Sequence, residues 1–227
     1  MALHHKVAQV ALTEAYSEIS RLLGTLADSD LQRPSRCAGW VVGDVLFHLL
    51  TDAQAVLVAM SGSVTDRPAS DWLTYWRREV TRRSPRGARQ QARYVRLGAA
   101  AYTEPDDLVR HWNATSQAVL RVTEYAPGAR GVPYDGITMN VTDVFAVVAV
   151  EATIHHLDML AELAGKPQPR PAALELTVRT LDGLLGDIDR PHWEDVTFVS
   201  KMTGRLPLTV SERRFLDERG FQLPLIG

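Results

Sequence analysis

Asn140-Val141-Thr142-Asp143-Val144-Phe145-Ala146-Val147-Val148-Ala149-Val150-Glu151-Ala152-Thr153-Ile154-His155-His156-Leu157-Asp158-Met159-Leu160-Ala161-Glu162-Leu163-Ala164 decides the fold. The run reads as one long helix. Asn140 suits an N-cap with acidic Asp143 three residues on, and Gly165 then Pro167 stop it. Its inward stripe follows the helical period through Val144, Val147, Val148, Glu151, Ile154, His155, Asp158 and Glu162. Glu151 and His155 are one turn apart and project from one face. Both stand where valine or isoleucine is expected. Burying an unpartnered carboxylate costs several kcal/mol, so Glu151 calls for a cation beside it.

Outward from this helix the pattern stays helical. One helix is expected over about 5–26 and a second from beyond Trp40 to about Met60, with the stripe Val42, Val45, Leu46, Leu49, Ala53, Val56 and Met60. A third carries Trp72, Tyr75 and Trp76. Another follows the break at Ser84-Pro85-Arg86-Gly87, and a fifth starts at Pro105, a residue suited to a first helical turn. Segment 127–136, rich in glycine and proline, reads as a loop, and 172–185 as one more helix. Two β-prone pieces, 196–199 and 206–210, are expected to form a hairpin or stay irregular before a short last helix from Ser211. Long helices with strand signals only at the end predict an all-α helix bundle with a small C-terminal α/β or irregular extension. The expected division is a bundle over 1–168 and an extension over 169–227.

A net charge of −2 over 227 residues sets up no global field for nucleic acid or an anionic membrane. Arginine clusters locally at Arg77, Arg78, Arg82, Arg83, Arg86, Arg89, Arg93 and Arg96. These read as a solvated helix face or as a rim for an acidic substrate. Cys37 is the only cysteine, so no intrachain disulfide forms and a reducing compartment is expected. The N-terminus lacks a signal-peptide pattern, and no apolar stretch is expected to approach the ~20 residues that cross a bilayer. The expected location is cytoplasmic, as a monomer or homodimer with no nucleic-acid or membrane partner. No phosphate-binding loop, dinucleotide fingerprint, cysteine-pair zinc finger or nucleophile elbow is present.

His48 lies on the second helix between Val45 and Asp52, at the margin of the apolar stripe. A histidine from one helix and a Glu/His pair from another is how a bundle builds an inward-facing metal site. Two imidazoles and a carboxylate suit Zn²⁺ and leave positions open for water or substrate. They can also hold Fe(II). Periodicity leaves a second reading open, in which these are satisfied core or surface side chains. Asp158 either orients a ligand histidine or caps a tertiary contact. His156 points about a third of a turn from His155 and is not expected to ligate. Cys37 is either a reactive thiol beside Arg36 or a small packed hydrophobe. Lys201 and Arg205 are candidates to hold a carboxylate substrate or groups of a thiol, the guanidinium by its fork geometry, or they simply pack in surface ion pairs.

Pro34-Ser35-Arg36-Cys37-Ala38-Gly39-Trp40, followed by Val45-Leu46-Phe47-His48-Leu49, resembles the P-S-x-C-x-G-W … H-L signature of mycothiol-dependent maleylpyruvate isomerase-like proteins. Glu151 to Asp158 resembles the family's E-x-x-x-H-x-x-D segment, and Thr203-Gly204-Arg205-Leu206-Pro207-Leu208 its TGR-x-P-L tail. Segment 62–136 carries no signature of the family. The resemblance implies a DinB-like four-helix bundle, and a divalent metal, usually zinc, on His48, Glu151 and His155. It implies mycothiol as cosubstrate, with the thiol activated as a metal-bound thiolate to attack a small electrophile, in isomerisation or S-transfer. His156 departs from the family's usual smaller residue, which bears on substrate identity. Two other functions remain open at this stage: a thiol-independent metal-dependent hydrolase, and a non-catalytic small-molecule-binding bundle.

Overall fold

In the computed structural model, residues 3–227 are described except 63, 65, 83, 187 and 189–191, together with all but the side chains of 80, 82 and 85. Arg83 of the arginine cluster lies outside the described residues. Helices α1 (His5–Leu23), α2 (Val42–Ser61), α3 (Trp72–Arg82), α4 (Pro85–Ala100) and α5 (Pro105–Tyr125) come first. A hairpin of β1 (Gly131–Tyr134) and β2 (Ile137–Asn140) leads into α6 (Val141–Met159), then α7 (Pro171–Leu185), α8 (Asp195–Met202) and α9 (Val210–Asp217).

Four helices close a ring: α1 packs on α6, α6 on α2, α2 on α5 and α5 back on α1. This is the helix bundle that the periodicity predicts, with the four-helix, DinB-like form that the resemblance implies. The core between them is apolar, with Leu12, Ile19, Leu46, Leu49, Trp112, Val119, Phe145 and Val148 all within 2 % of full burial. The other helices lie outside the ring. Helix α4 leans on α2, α3 on α6 and α7, and α7 along α1 and α6. Trp72, Trp76 and Trp112 are buried, as helical spacing predicts.

Helix α6 is the centre of the molecule. Every residue from Val141 to Met159 is buried except Glu151. The sequence reading gave this helix one inward stripe; it is enclosed all round, because α1, α2, α3, α7 and α8 share its surface. Asn140 is its N-cap but the side chain turns to Asp143 Oδ2, 3.4 Å away. Asp143 Oδ1 accepts the Trp72 backbone N–H at 3.2 Å, tying the start of α3 to that of α6.

Three expectations are corrected. Segment 127–136 is loop only as far as residue 130; strand β1 and its turn follow. Asp135 and Gly136 have φ of 47° and 72°, the pair of positive values that an Asp-Gly hairpin turn requires. The piece at 196–199 is neither hairpin nor irregular but part of α8, whose Phe198, Val199 and Met202 are buried where it packs on α6 and α7. Packing overrides β propensity there. Finally, Val42–Ser61 and Val141–Glu162 are long and apolar enough to cross a bilayer by length and composition, contrary to the sequence reading. Both are bundle helices, and the α6 span is 83 % buried within the protein, the ordinary reason for an all-round apolar helix.

Candidate metal centre

The loop before α2 is folded tightly enough to fix its side chains. Pro34 bridges to Val41, Ser35 N–H donates to Trp40 O at 3.0 Å, and Trp40 N–H to Cys37 O at 3.0 Å. Ser35 Oγ accepts the Cys37 N–H at 3.1 Å. Gly39 turns the loop at φ 78°, a value that favours glycine. Arg36 N–H donates to Asp158 O at 3.1 Å, which docks the loop on the C-terminal turn of α6. Asp44 then accepts the Val41 N–H at 3.0 Å and starts α2.

Helices α2 and α6 run side by side, and three predicted residues meet between them. His48 Nε2 and His155 Nε2 each lie 3.3 Å from the same Glu151 oxygen, Oε1. The two rings are 4.8 Å apart and nearly perpendicular, at 86°. One donor atom from each residue lies within 4.8 Å of the other two. Trp40 stands edge-on to His48 at 5.6 Å. Glu151, the one unburied residue of α6, opens the cluster to solvent with 26 % of its side chain exposed.

Behind His155 is a second layer. Its Nδ1 lies 3.0 Å from Asp158 Oδ2, and donation there turns Nε2 toward Glu151 and His48, where loss of its proton would expose a lone pair. Asp158 is fully buried, and Arg205 is the cation that makes this tolerable. Arg205 Nε reaches Oδ1 at 3.1 Å and Nη2 reaches Oδ2 at 3.0 Å. The carboxylate that Arg205 holds is thus one of the chain's own. Arg205 Nη1 also donates to Thr203 O at 2.8 Å. Cys37 Sγ lies 3.1 Å from Asp158 Oδ2 and 3.6 Å from His155 Nδ1.

The titration behaviour follows from this layout. Burial lowers the His155 imidazole, but hydrogen bonds with Asp158, Cys37 and Glu151 and the Glu151 charge carry it well above its ordinary value. Burial raises Glu151 and Asp158, yet the two histidines bring Glu151 well below the carboxylate range, and His155 with Arg205 do the same for Asp158. Asp52 follows His48 by one turn, its Oδ2 3.6 Å from His48 Nε2, and burial pushes it up to about 6 against the pull of His48. Sequence reasoning passed over Asp52, though its i+4 spacing from His48 was available.

The donor set fits a divalent ion. Bonds of about 2.1 Å in a tetrahedron separate ligand atoms by about 3.4 Å, close to the 3.3 Å found here. That spacing is long for a charge-assisted hydrogen bond, which runs about 2.7–2.9 Å. Glu151 lies between the two imidazoles and Asp52 lies 3.6 Å from His48 Nε2, so a divalent cation that displaces the His155 proton still meets carboxylate charge on two sides. Cys37, His155 and Asp158 also come close enough to hold an ion, but Arg205 already occupies Asp158 and repels a second cation there.

Other candidates are elsewhere. Lys201 Nζ pairs with Glu212 Oε1 at 2.5 Å and lies over the Trp193 ring, away from the cluster. His156 is fully buried, with Nε2 3.0 Å from Pro167 O, and does not face His48. Arg77, Arg86, Arg89, Arg93 and Arg96 are exposed on α3 and α4. A cavity of about 690 Å³ lies at the other end of α6, lined by His4, His5, Asp71, Trp72 and Asp143 among others, and by none of the cluster's residues.

Residues 12–160 match the family described as mycothiol maleylpyruvate isomerase N-terminal domain. Two crystal structures of mycothiol-dependent maleylpyruvate isomerase share the fold. One, of a histidine-to-alanine mutant, is 19 % identical with a TM-score of 0.55, and the other is 18 % identical with a TM-score of 0.50. In both, the similarity covers 81 % of this chain and 70 % of the other. No curated protein matches the chain.

Proposed function

The chain belongs to the mycothiol maleylpyruvate isomerase N-terminal domain family, and on that footing we propose that it is a metal-dependent, mycothiol-using isomerase or S-transferase. His48, Glu151 and His155 are the ligands and Zn²⁺ the ion this donor set suits. The observation that carries the reading is the convergence of two imidazole Nε2 atoms on one Glu151 oxygen at 3.3 Å each. The crystallised relatives are named for dependence on the same thiol.

When bound, a divalent ion here supplies the Lewis acidity that turns a coordinated thiol into its thiolate nucleophile. The chain's residues do the rest. Asp158 holds the Nδ1 proton of His155, so that the imidazole presents Nε2 as a neutral donor. Arg205 keeps Asp158 ionised and fixed. Glu151, partly open to solvent, marks the side from which thiol and electrophile enter. Asp52, one turn from His48, offers a carboxylate for the thiol proton. Trp40 walls the His48 side.

Elemental analysis of the purified protein and of His48→Ala tests the ligands: about one ion per chain is expected in the parent and little in the variant. Unchanged metal in the variant rejects the assignment. Incubation with mycothiol and a panel of small electrophiles, maleylpyruvate included, tests the reaction, with thiol-dependent consumption expected. Turnover without thiol points to a metal-dependent hydrolase, and binding without turnover to a non-catalytic bundle.

A further inference from the structure

We infer that Cys37 is a positioning residue of the metal centre, whose thiol acts through Asp158 to set the direction of the His155 imidazole. The inference rests on the metal-centre reading above and adds to it a residue that touches neither the ion nor a substrate.

Asp158 Oδ2 is the meeting point of three separate chain segments. From α6 itself comes His155 Nδ1 at 3.0 Å, from the tail Arg205 Nη2 at 3.0 Å, and from the loop before α2 Cys37 Sγ at 3.1 Å. The thiol is the third support of a carboxylate that has no solvent to orient it, since Asp158 is fully buried. Its S–H donates to Oδ2 and its sulfur packs 3.6 Å from Nδ1 of the imidazole. A ring flip of His155 moves Nδ1 off the carboxylate and Nε2 off Glu151 together. The thiol stands beside the edge that such a flip must sweep.

The loop makes the thiol an exact spacer rather than a loose neighbour. Cys37 N–H is held by Ser35 Oγ, Cys37 O accepts Trp40 N–H, and the adjacent Arg36 N–H is anchored on Asp158 O. Both ends of the Cys37–Asp158 contact therefore belong to one docked unit, and the side chain has little freedom to withdraw. Direct ligation by Cys37 is disfavoured by the guanidinium of Arg205, which lies on the same carboxylate. It also requires the Nδ1 of His155, which is spent on Asp158.

Three variants separate the donor from the bulk: Cys37→Ser keeps a donor, Cys37→Val keeps volume without one, and Cys37→Ala keeps neither. Metal affinity is measured by competition with a chromophoric chelator, using Zn²⁺ and Co²⁺. Loss of a partner behind a ligand typically weakens binding 10–100-fold. Cys37→Val and Cys37→Ala are expected at the lower end, about tenfold weaker, with Cys37→Ser near the parent. The Co²⁺ form is expected to show no thiolate-to-metal charge-transfer band. Parent-like affinity in Cys37→Val overturns the inference. So does a charge-transfer band that disappears in Cys37→Ser, which makes the sulfur a ligand. Imidazole ¹⁵N shifts of His155 in the metal-free protein give a readout independent of loading. They are expected to change in Cys37→Val and to be restored in Cys37→Ser. Unchanged shifts overturn the inference even if the parent binds no metal, whereas a parent without metal and with responsive shifts rejects the metal reading alone.

Discussion

His155 carries the pH behaviour of the cluster. In the metal-free protein its imidazole is held well above its ordinary value by Asp158, Cys37 and Glu151 against the effect of burial. A metal must displace that proton, so affinity is expected to rise from neutral to alkaline pH and to weaken steeply in acid. Chelator competition across a pH series checks this. The same raised value stabilises the metal-free fold fully below about pH 6.5 and less as pH rises through the folded value. Loading removes this dependence because the bound imidazole is neutral. Denaturant midpoints of both forms at pH 6 to 9 are expected to show the metal-free protein alone losing stability on the alkaline side. Arg205 is the second sensitive residue. Arg205→Ala strands the buried Asp158, and breaking a buried pair in this way costs about 3–5 kcal/mol, measurable by urea unfolding. Arg205→Lys is expected to recover part of that, since it restores charge but not the fork. His48, Glu151 and His155 were legible because polar residues broke an apolar period. Asp158 was legible as a residue that orients His155 three positions before it, but its contacts with Arg205 and Cys37 were not, because contacts across 47 and 121 positions of chain leave no local mark. Arg205 read either as a binder of a substrate carboxylate or as one half of a surface ion pair; it forms an ion pair, but with the buried Asp158.

Among the elements, α4 offers the sharpest test. Gly98 is a helical glycine, and replacing such a residue by alanine in an exposed helix stabilises it by about 1 kcal/mol. Here a Cβ runs into the Phe47 ring at Cζ and Cε1. Gly98→Ala is therefore expected to destabilise, by about 1–3 kcal/mol as overpacking does. Phe47→Leu in the same chain is expected to return most of the loss, and thermal unfolding of the single and double variants decides the sign. Phe47 precedes His48 on α2, so the strain is felt one residue from the cluster. The helices were readable from their periods and caps. The Asp135-Gly136 turn was readable too, since that dipeptide is a strong hairpin signal, but Pro133 and three glycines in the surrounding segment read as loop. For α8, Val196-Thr197-Phe198-Val199 favours strand locally, and only the faces of α6 and α7 made it helical.

The bundle as a whole has an acid limb set by His156. Burial lowers this imidazole to about 4, while its Nδ1 has no partner and a proton there is unpaired. Above about pH 6.5 it is neutral folded or unfolded. As pH falls from there to about 4 the unfolded chain takes up the proton first, so stability is lost, on the order of 3 kcal/mol. Asp52, raised to about 6, pushes the opposite way over part of that range in the metal-free protein. Comparing His156→Gln with its parent isolates the histidine: the variant is expected to gain relative stability as pH falls, and equal slopes count against the assignment. The enclosure of α6 has one more consequence. Five neighbouring helices cover that helix, and Glu151 alone looks out. Substitutions along it are answered by the packing before they can be answered by a reactant. On the proposed function, changes in which molecule is accepted are expected at the rim of the cluster, such as the loop ahead of α2, and not along α6. The helix that carries two of the three proposed donor groups is the part of the molecule least open to innovation.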